Sequence, residues 1–419
     1  MSLPLELSEG RTYRFLLGMS VYNLGVSLMW TSYSAILLPI LVQNTTSESS
    51  KGRWLGVISL TSVAVGIFTA IVSGILSDHS QSKWGRRTPY IVSGTILVVV
   101  SISLSSYLPL SLPFVFAGFF LLQLFGNLSE GSYRPLLADL VPEHQRGLES
   151  GLQGVFNILG AAFGFIAITA LVSAGNLRLA MIAIAFTLLA TTFFNTIVIR
   201  DEDRPLPGMQ PIRFARALVE TYHADQHVPG FFWFVFANFL MYMGVTSFAS
   251  FGIYYFQTIL HIPDPVQAMG VSGIVGILAT VIAALAAGTL SDHIGRRSLI
   301  ILAGILAGSV VVFFPFLNGF SFFLFLAAIY GAANGIIYSV NQAMAGDLVP
   351  VNEAGKYMAY SNLSVGVASA VAPLVFGLVF NSMGAPTQTS FIYFFSLAAI
   401  FYFSSSLVFW RKVPAHQAA

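Results

Sequence analysis

The sequence predicts an all-α integral membrane protein, with twelve transmembrane helices in two pseudo-symmetric six-helix bundles. Its composition, its apolar segments and an internal repeat all support this fold class. Of the 419 residues, 56% are hydrophobic and 9% are charged, whereas soluble domains carry about 25% charged residues. The core of a soluble domain could not bury so much apolar surface, so a lipid bilayer is the expected surrounding.

Twelve segments are long and apolar enough to cross a bilayer, which takes about 20 residues in a helix. Numbered as spans one to twelve, they are 15–41, 54–77, 89–108, 113–138, 150–174, 178–199, 230–260, 267–290, 298–318, 320–346, 357–381 and 390–410. This spacing predicts an N-terminal bundle over 1–199, a cytoplasmic linker over 200–229 and a C-terminal bundle over 230–419. Within the linker, residues 212–222 fit either a short interfacial helix or a plain tether.

Two stretches about half the chain apart are nearly the same. Residues 74–87 read Gly-Ile-Leu-Ser-Asp-His-Ser-Gln-Ser-Lys-Trp-Gly-Arg-Arg, and residues 288–297 read Gly-Thr-Leu-Ser-Asp-His-Ile-Gly-Arg-Arg. In the same register, the segment from Asp139, Asp-Leu-Val-Pro-Glu, recurs from Asp347 as Asp-Leu-Val-Pro-Val. Two similar apolar halves are typical of secondary transporters, in which two bundles rock about a shared site.

The distribution of Lys and Arg predicts the orientation in the membrane. Fifteen of the 19 such residues fall in one set of loops and ends, three fall in the opposite set, and Arg134 lies within a span. The larger set includes both termini, both Gly-Arg-Arg loops and the linker. We therefore expect a multi-pass protein of the cell membrane with both termini in the cytoplasm. The basic residues are scattered, which does not indicate a nucleic-acid partner.

The repeated Gly-x-Leu-Ser-Asp…Gly-Arg-Arg pattern after spans two and eight resembles the cytoplasmic signature of the major facilitator superfamily. The longer first loop, Asp78 to Ile91, and the span-four segment Tyr133 to Glu143 are similar to those of the sucrose:proton symporters and the glycoside–pentoside–hexuronide:cation symporters. This resemblance implies a protein that works as a monomer. It also implies that spans one, four, seven and ten line a central cavity.

The repeated loops predict a cytoplasmic latch. Asp78 and Asp292 lie at helix ends, where a carboxylate can bind a neighbouring helix N-terminus or the following arginines. Such contacts can close the cytoplasmic side in one state and break in the other. The alternative is that the arginines only fix the topology. The predicted latch residues are Asp78, Arg86, Arg87, Asp139, Asp292, Arg296, Arg297 and Asp347.

Glu130 and Arg134 are the only charged residues that the sequence places well inside a span, and they stand four apart on one helix, where they can pair. Burial favours the protonated form of Glu130, whereas Arg134 favours the ionised form. If Arg134 moved away, Glu130 would bind a proton, so the pair is the predicted proton-coupling site. The alternatives are a purely structural ion pair and a facilitator without coupling.

Polar residues form stripes on the same spans that the resemblance places around a cavity. Amides offer paired donors and acceptors, and aromatic faces stack on the C–H surfaces of sugars, so a neutral sugar is the expected substrate. Any single amide or tyrosine could instead be a contact between helices. The predicted ligands are Asn23, Trp30, Gln123, Asn127, Glu130, Arg134, Gln153, Asn157, Asn238, Tyr242, Asn334, Tyr338, Asn341 and Asn362.

The sequence therefore predicts a proton-coupled symporter of a neutral sugar, such as a disaccharide or glycoside. Span two has no Asp or Glu, which disfavours a sodium site of the melibiose type that the resemblance would imply. Two alternatives stay open: a uniporter or efflux carrier of amphipathic molecules, and a transport-inactive factor for membrane assembly. We expect neither an enzyme, a cofactor nor a metal site, because no catalytic, phosphate-loop or metal-binding pattern is present.

Overall fold

The computed structural model describes residues 10–200, 203, 230–349 and 354–414. Within them, twelve helices are long and apolar enough to cross a membrane, which confirms the predicted fold class. They are α1 (Tyr13–Gln43), α2 (Lys51–Asp78), α3 (Thr88–Tyr107), α4 (Leu112–Leu140), α5 (Glu143–Ser173), α6 (Leu177–Ile199), α7 (Phe231–Thr258), α8 (Pro265–Ser291), α9 (Arg296–Phe316), α10 (Phe320–Asp347), α11 (Tyr357–Ser382) and α12 (Gln388–Lys412). The proposed helix at 212–222 lies outside the described residues.

The chain forms two compact units. The first comprises Met1–Tyr33 with Val65–Ala217, and the second comprises Ser34–Ala64 with Leu218–Ala419. The C-terminal part of α1 and the N-terminal part of α2 thus pack within the second unit, although the sequence assigns them to the N-terminal bundle. The division into bundles at residues 200–229 stays a prediction.

Several helices are interrupted, and one interruption positions a predicted functional residue. In α4, a regular helix ends at Tyr133 and a short helix follows over Leu136–Leu140. Pro135 stands between them and has no N–H to donate, so the helix breaks there. Arg134 therefore lies at the end of the first segment, where its backbone N–H still donates to the Glu130 carbonyl over 3.0 Å. In a membrane, such breaks occur where protein or a cavity surrounds the backbone.

Glycines bring the helices of the first unit close together. A Cβ on Gly160 of α5 would collide with the backbone of Leu24 on α1, and one on Gly25 would collide with Thr191 of α6. Helices in membranes associate through such small residues, because lipid provides no hydrophobic driving force between them. These contacts hold α1 against α5 and α6.

The second unit has an aromatic core. Phe248 and Tyr255 of α7 lie among rings of α9, α10 and α12, with centroids 5.4 Å apart for Tyr255 and Phe323 and 5.6 Å for Tyr255 and Phe395. Such tilted and edge-to-face pairs are favourable beyond their buried area. Many phenylalanine side chains of this unit therefore pack against one another in its core.

The N-terminal part of α2 packs against α11 and α7 in the same unit. A Cβ on Gly56 would lie 2.6 Å from both the Leu374 Cα and the Pro373 carbonyl, so only glycine fits. The Tyr254 hydroxyl donates to the Pro39 carbonyl over 2.8 Å. The Lys51 ammonium lies 4.5 Å from the centroid of the Tyr254 ring, a cation–π contact.

Candidate functional site

Glu130 and Arg134 form an ion pair in the first unit. The Arg134 Nη2 donates to Glu130 Oε1 over 2.6 Å, and its Nε donates to the same oxygen over 3.2 Å. The other carboxylate oxygen, Oε2, accepts a hydrogen bond from Trp30 Nε1 over 2.8 Å. Both oxygens of Glu130 thus have hydrogen-bond donors in this geometry.

The two members of this pair differ in their exposure. The Glu130 side chain is 18% exposed, whereas the Arg134 side chain is 70% exposed. A guanidinium has five N–H donors, and Glu130 takes only two from Arg134. The remaining donors are open to a ligand with hydroxyl or carbonyl oxygens, so Arg134 can bind a substrate without leaving Glu130.

Trp30 is positioned by a glycine on α4. A Cβ on Gly126 would lie 3.0 Å from Cζ2 of the indole, so the ring lies directly on the helix surface. The absence of a side chain at residue 126 lets the indole N–H reach Glu130, one turn further along α4. An indole has an N–H but no acceptor, which suits it to an ionised carboxylate.

The other two predicted residues of α4 pack towards α2. Asn127 Nδ2 donates to the Gln123 carbonyl over 2.9 Å and to its side-chain Oε1 over 3.0 Å. A Cβ on Gly66 of α2 would lie 2.5 Å from Asn127 Nδ2 and 2.7 Å from Gln123 Oε1. Gln123 is buried, so in this conformation these amides serve as contacts between helices.

A tyrosine pair that the sequence did not select lies beside the ion pair. The rings of Tyr22 and Tyr133 are 4.2 Å apart. The Tyr22 hydroxyl shares a hydrogen bond of 2.6 Å with Ser129 Oγ, and Tyr22 lies within electrostatic reach of Glu130. Asn23 donates to the Tyr133 hydroxyl over 2.8 Å. Asn23 therefore supports the tyrosine pair in the structure described.

Glu149 is a second buried carboxyl within a helix of membrane-spanning length, and the sequence pattern did not identify it. Helix α5 begins at Glu143 rather than at residue 150, and Glu149 is fully buried within it. Ser20 Oγ donates to Glu149 Oε1 over 2.8 Å, and Gln153 Nε2 donates to the same oxygen over 3.3 Å. The first turns of α5 are rich in polar residues, so the apolar pattern placed the start of the span at residue 150 and left Glu149 outside it.

The second unit holds the predicted residues of α7 and α10. Asn341 is buried beside the Tyr242 hydroxyl, and neither its Nδ2 nor its Oδ1 forms a hydrogen bond of ordinary geometry among the described residues. The rings of Tyr242 and Tyr338 are 5.7 Å apart. Asn238 Nδ2 donates to Ser364 Oγ over 2.8 Å, and Asn334 Oδ1 accepts from the Tyr402 hydroxyl over 3.2 Å.

Two predicted ligands lie apart from these contacts. Asn157 of α5 and Asn362 of α11 are exposed, and neither has a polar partner within the part of the chain that the structure describes. Their predicted role in substrate binding thus has no geometric support from neighbouring side chains, in contrast to that of Trp30.

The first repeated loop is an ion-pair cluster within the first unit. Arg87 reaches two carboxylates, with Nη2 2.5 Å from Asp78 Oδ1 and Nε 2.6 Å from Asp139 Oδ2. Arg86 also pairs with Asp139. These pairs join the end of α2, the start of α3 and the end of α4. The arginine side chains of these pairs are buried: Arg86 is 9% exposed and Arg87 is 3% exposed.

The second repeated loop repeats only part of this pattern. Arg296 pairs with Asp347, as Arg86 pairs with Asp139. Arg297 instead donates to the carbonyls of Phe409, over 3.0 Å, and Trp410 in the last turn of α12. A cation at a helix C-terminus satisfies carbonyls that have no partner within the helix. The side chain of Asp292 lies outside the described structure, so its predicted latch contact stays a prediction.

Asp203 also binds the first repeated loop, and the sequence pattern did not predict this contact. Its Oδ2 accepts from the backbone N–H groups of Arg87 and Thr88, each over 2.7 Å, and from Thr88 Oγ1 over 2.8 Å. These groups are at the N-terminus of α3, where four N–H groups lack partners within the helix. A carboxylate there also interacts favourably with the helix dipole. Asp203 thus acts as a helix cap from a distant part of the chain.

We expect Asp203→Ala to destabilise the first unit by about 1–3 kcal/mol, because it leaves buried donors without an acceptor. Thermal unfolding of the purified protein in detergent measures the change. Asp203→Asn is the matched control, since its amide oxygen still accepts and should restore part of the loss. Equal melting temperatures for Asp203→Ala and the wild type would show that Asp203 does not act as this cap.

Comparison with known proteins decides the family. The family model described as Major Facilitator Superfamily matches residues 19–283 and 234–419. The chain belongs to the Major Facilitator Superfamily. This membership confirms the resemblance read from the repeated loops, and it confirms that the chain is not an enzyme. With its twelve helices, this superfamily member is a multi-pass membrane protein.

Among curated proteins, this superfamily member is similar to sugar permeases over part of its length. A general alpha-glucoside permease of Schizosaccharomyces pombe is 27% identical over 215 residues, which are 45% of this chain and 38% of that protein. A sucrose transport protein of Arabidopsis thaliana is 27% identical over 172 residues, or 36% of this chain and 33% of that protein. The matches thus span little more than a third of the relatives' length.

Solved structures of the same fold cover nearly the whole chain. The nucleoside transporter NupG superposes with a TM-score of 0.70 at 12% identity, over 95% of this chain and 100% of that one. A D-xylose-proton symporter superposes with a TM-score of 0.71 at 16% identity, over 96% and 97% of the two chains. At such identities the likeness establishes the fold alone.

Proposed function

We propose that the chain is a secondary transporter that moves a neutral sugar, such as a disaccharide or glycoside, together with a proton. The observation that carries this proposal is the Glu130–Arg134 pair with its exposed guanidinium. The pair has no net charge, so it suits a neutral substrate. A phosphorylated substrate would need several unpaired Arg or Lys residues.

The chemistry of both units supports a hydroxylated substrate. In the first unit, Arg134 has free donors and Trp30 offers an aromatic face. In the second unit, the buried amide of Asn341 lies beside the Tyr242 hydroxyl and forms no hydrogen bond of ordinary geometry among the described residues. Unpaired buried amides are costly unless a ligand or water satisfies them. Sugar hydroxyls, which both donate and accept, would satisfy an amide.

The similar proteins support the same class of substrate. The curated relatives are named as an alpha-glucoside permease and a sucrose transport protein, and one solved structure of this fold is a D-xylose-proton symporter. We extend sugar transport, proton coupling, location in the cell membrane, cytoplasmic termini and a monomeric state to this chain as proposals. The aromatic core of the second unit weakens the efflux alternative, because rings packed on each other are not a surface for amphipathic compounds.

Uptake into proteoliposomes tests the proposed function. Purified protein would be reconstituted and offered labelled glucosides, disaccharides, monosaccharides and a nucleoside, with and without an inwardly directed proton gradient. We expect saturable uptake of at least one glucoside or disaccharide, and accumulation only when the gradient is present. Uptake of the nucleoside alone, or of no compound at all, would refute the sugar assignment.

The predicted latch can be tested through Asp78. We propose that Asp78→Asn, which weakens the Arg87 ion pair, shifts the conformational equilibrium towards cytoplasmic opening by about 1–3 kcal/mol, the usual scale of such couplings. Distance distributions between spin labels placed in the two bundles would measure the shift. An unchanged distribution would reduce the loop to a role in topology or stability.

A further inference from the structure

Glu149 is a buried carboxyl that the proposed mechanism does not use. It has no exposed surface, and both of its hydrogen bonds, from Ser20 and Gln153, go to Oε1. Its second oxygen, Oε2, is buried and has no partner among the described residues. Glu130 differs in each respect, because it has donors at both oxygens and a cation beside it.

No cation neutralises the Glu149 carboxylate by an ion pair among the described residues. Helix α5 packs against α1, against the short helix that ends α4 and, further along, against α6. The titratable and charged groups on or beside these helices are Arg11, Tyr13, Arg14, Tyr22, Tyr33, Glu130, Tyr133, Arg134, Asp139, Glu143, His144, Arg146, Arg178 and Arg200. None of them forms an ion pair with Glu149 in the described structure.

Two arginines on the neighbouring segments have other partners. Arg11 donates to Gln145 Oε1 over 2.6 Å and to the Leu140 carbonyl over 2.9 Å. Arg146 donates to the carbonyls of Val141 and Ala138 and lies 3.7 Å from Glu143. Of the ionisable groups, Tyr133 is within electrostatic reach of Glu149, and its hydroxyl donates to the Met19 carbonyl.

An isolated carboxylate at such a position is unfavourable, because burial without a cation disfavours the charged form. The geometry favours the neutral acid, in which Oε2 would carry the proton while Oε1 accepts from Ser20 and Gln153. After deprotonation the same two donors still bind the carboxylate, so the charged form is reachable. These are the properties of a group that binds and releases a proton during a cycle.

We propose that Glu149 is a second proton-binding site, which holds the transported proton while Glu130 and Arg134 are paired. This inference rests on the proposed proton-coupled transport. When the pair opens, Glu130 binds a proton from water, and the O–H bond at Glu149 Oε2 breaks and releases its proton to water. When the pair closes, the O–H bond at Glu149 Oε2 forms with a proton from water, and the proton of Glu130 returns to water. The net charge of the first unit then changes little through the cycle.

Infrared spectroscopy of the sugar-free protein in lipid tests the site without any transport. At neutral pH we expect a carboxylic-acid C=O band that disappears in Glu149→Gln and persists in Glu130→Gln. Ser20→Ala is the matched variant at the hydrogen bond, and it should shift this band without removing it. Glu143→Gln is the surface control, since the Glu143 side chain is 90% exposed, and it should leave the band unchanged. A band lost in Glu130→Gln but kept in Glu149→Gln would overturn the proposal.

Transport by the same variants tests the coupling role. Glu149→Gln should lose accumulation, from a ratio of about tenfold per pH unit to about one, because a tenfold gradient and one pH unit are equal free energies. Exchange between equal sugar pools should persist, which a merely unfolded variant would not show. Full accumulation by Glu149→Gln would overturn the coupling role. If no sugar were transported by the wild type, the proposed function would fail, whereas the infrared band would still decide the proton site.

Discussion

Glu130→Gln should abolish the accumulation of sugar that a pH gradient drives, while exchange between equal pools persists. Glutamine keeps the size of the side chain and can still accept from Trp30, but it cannot bind and release a proton. The Arg134 side chain is 70% exposed, so a neutral partner does not leave a buried guanidinium unpaired. For one proton per sugar, the accumulation ratio should fall from about tenfold per pH unit to about one.

Proteoliposomes with an imposed pH gradient provide the measurement, and Glu143→Gln on the exposed start of α5 is the control. Concentrative, pH-driven uptake by Glu130→Gln would exclude Glu130 from the coupling step. Loss of exchange together with accumulation would instead make Glu130 a direct ligand of the sugar.

Arg134→Ala should impair both exchange and accumulation. The substitution removes two charge-assisted hydrogen bonds from Glu130 and the exposed donors available to a substrate. Hydrogen bonds to charged groups contribute about 1.5–3 kcal/mol each, so we expect exchange to fall by at least about tenfold. Initial rates of sugar exchange in proteoliposomes measure this loss.

Arg134→Lys separates charge from geometry in the same assay. Lysine keeps the positive charge but cannot form the forked contact of a guanidinium. We expect exchange between that of the wild type and that of Arg134→Ala. Wild-type exchange by Arg134→Ala would remove Arg134 from the substrate site, and its role would then be limited to the ion pair with Glu130.

The sequence predicted the fold well because the signals were long and duplicated. Twelve apolar segments needed no tertiary information, since the bilayer fixes the length of each helix. The repeat also predicted matching contacts, and Arg86 with Asp139 corresponds to Arg296 with Asp347. The spacing of Glu130 and Arg134 identified an ion pair, because residues four apart lie on one face of a helix.

The missed features depend on partners that are distant in sequence. Helix α5 begins at Glu143, so Glu149 lies within it and accepts a hydrogen bond from Ser20 on α1. The sequence alone does not indicate this contact. Asp203 lies in a charged stretch, and nothing local indicates that it caps α3. Arg297 departs from the repeat because it donates to carbonyls at the end of α12, whereas Arg87 pairs with two carboxylates. Trp30 was selected as a ligand, but its bond to Glu130 depends on the glycine beneath its ring.

Proton movement coupled to sugar entry tests the central claim most directly. Proteoliposomes in weakly buffered medium, without an imposed gradient, would receive sugar while the external pH is recorded. The account predicts that sugar addition makes the medium more alkaline, in the wild type and not in Glu130→Gln or Glu149→Gln. Sugar entry at an unchanged external pH, or entry that requires sodium at constant pH, would contradict it.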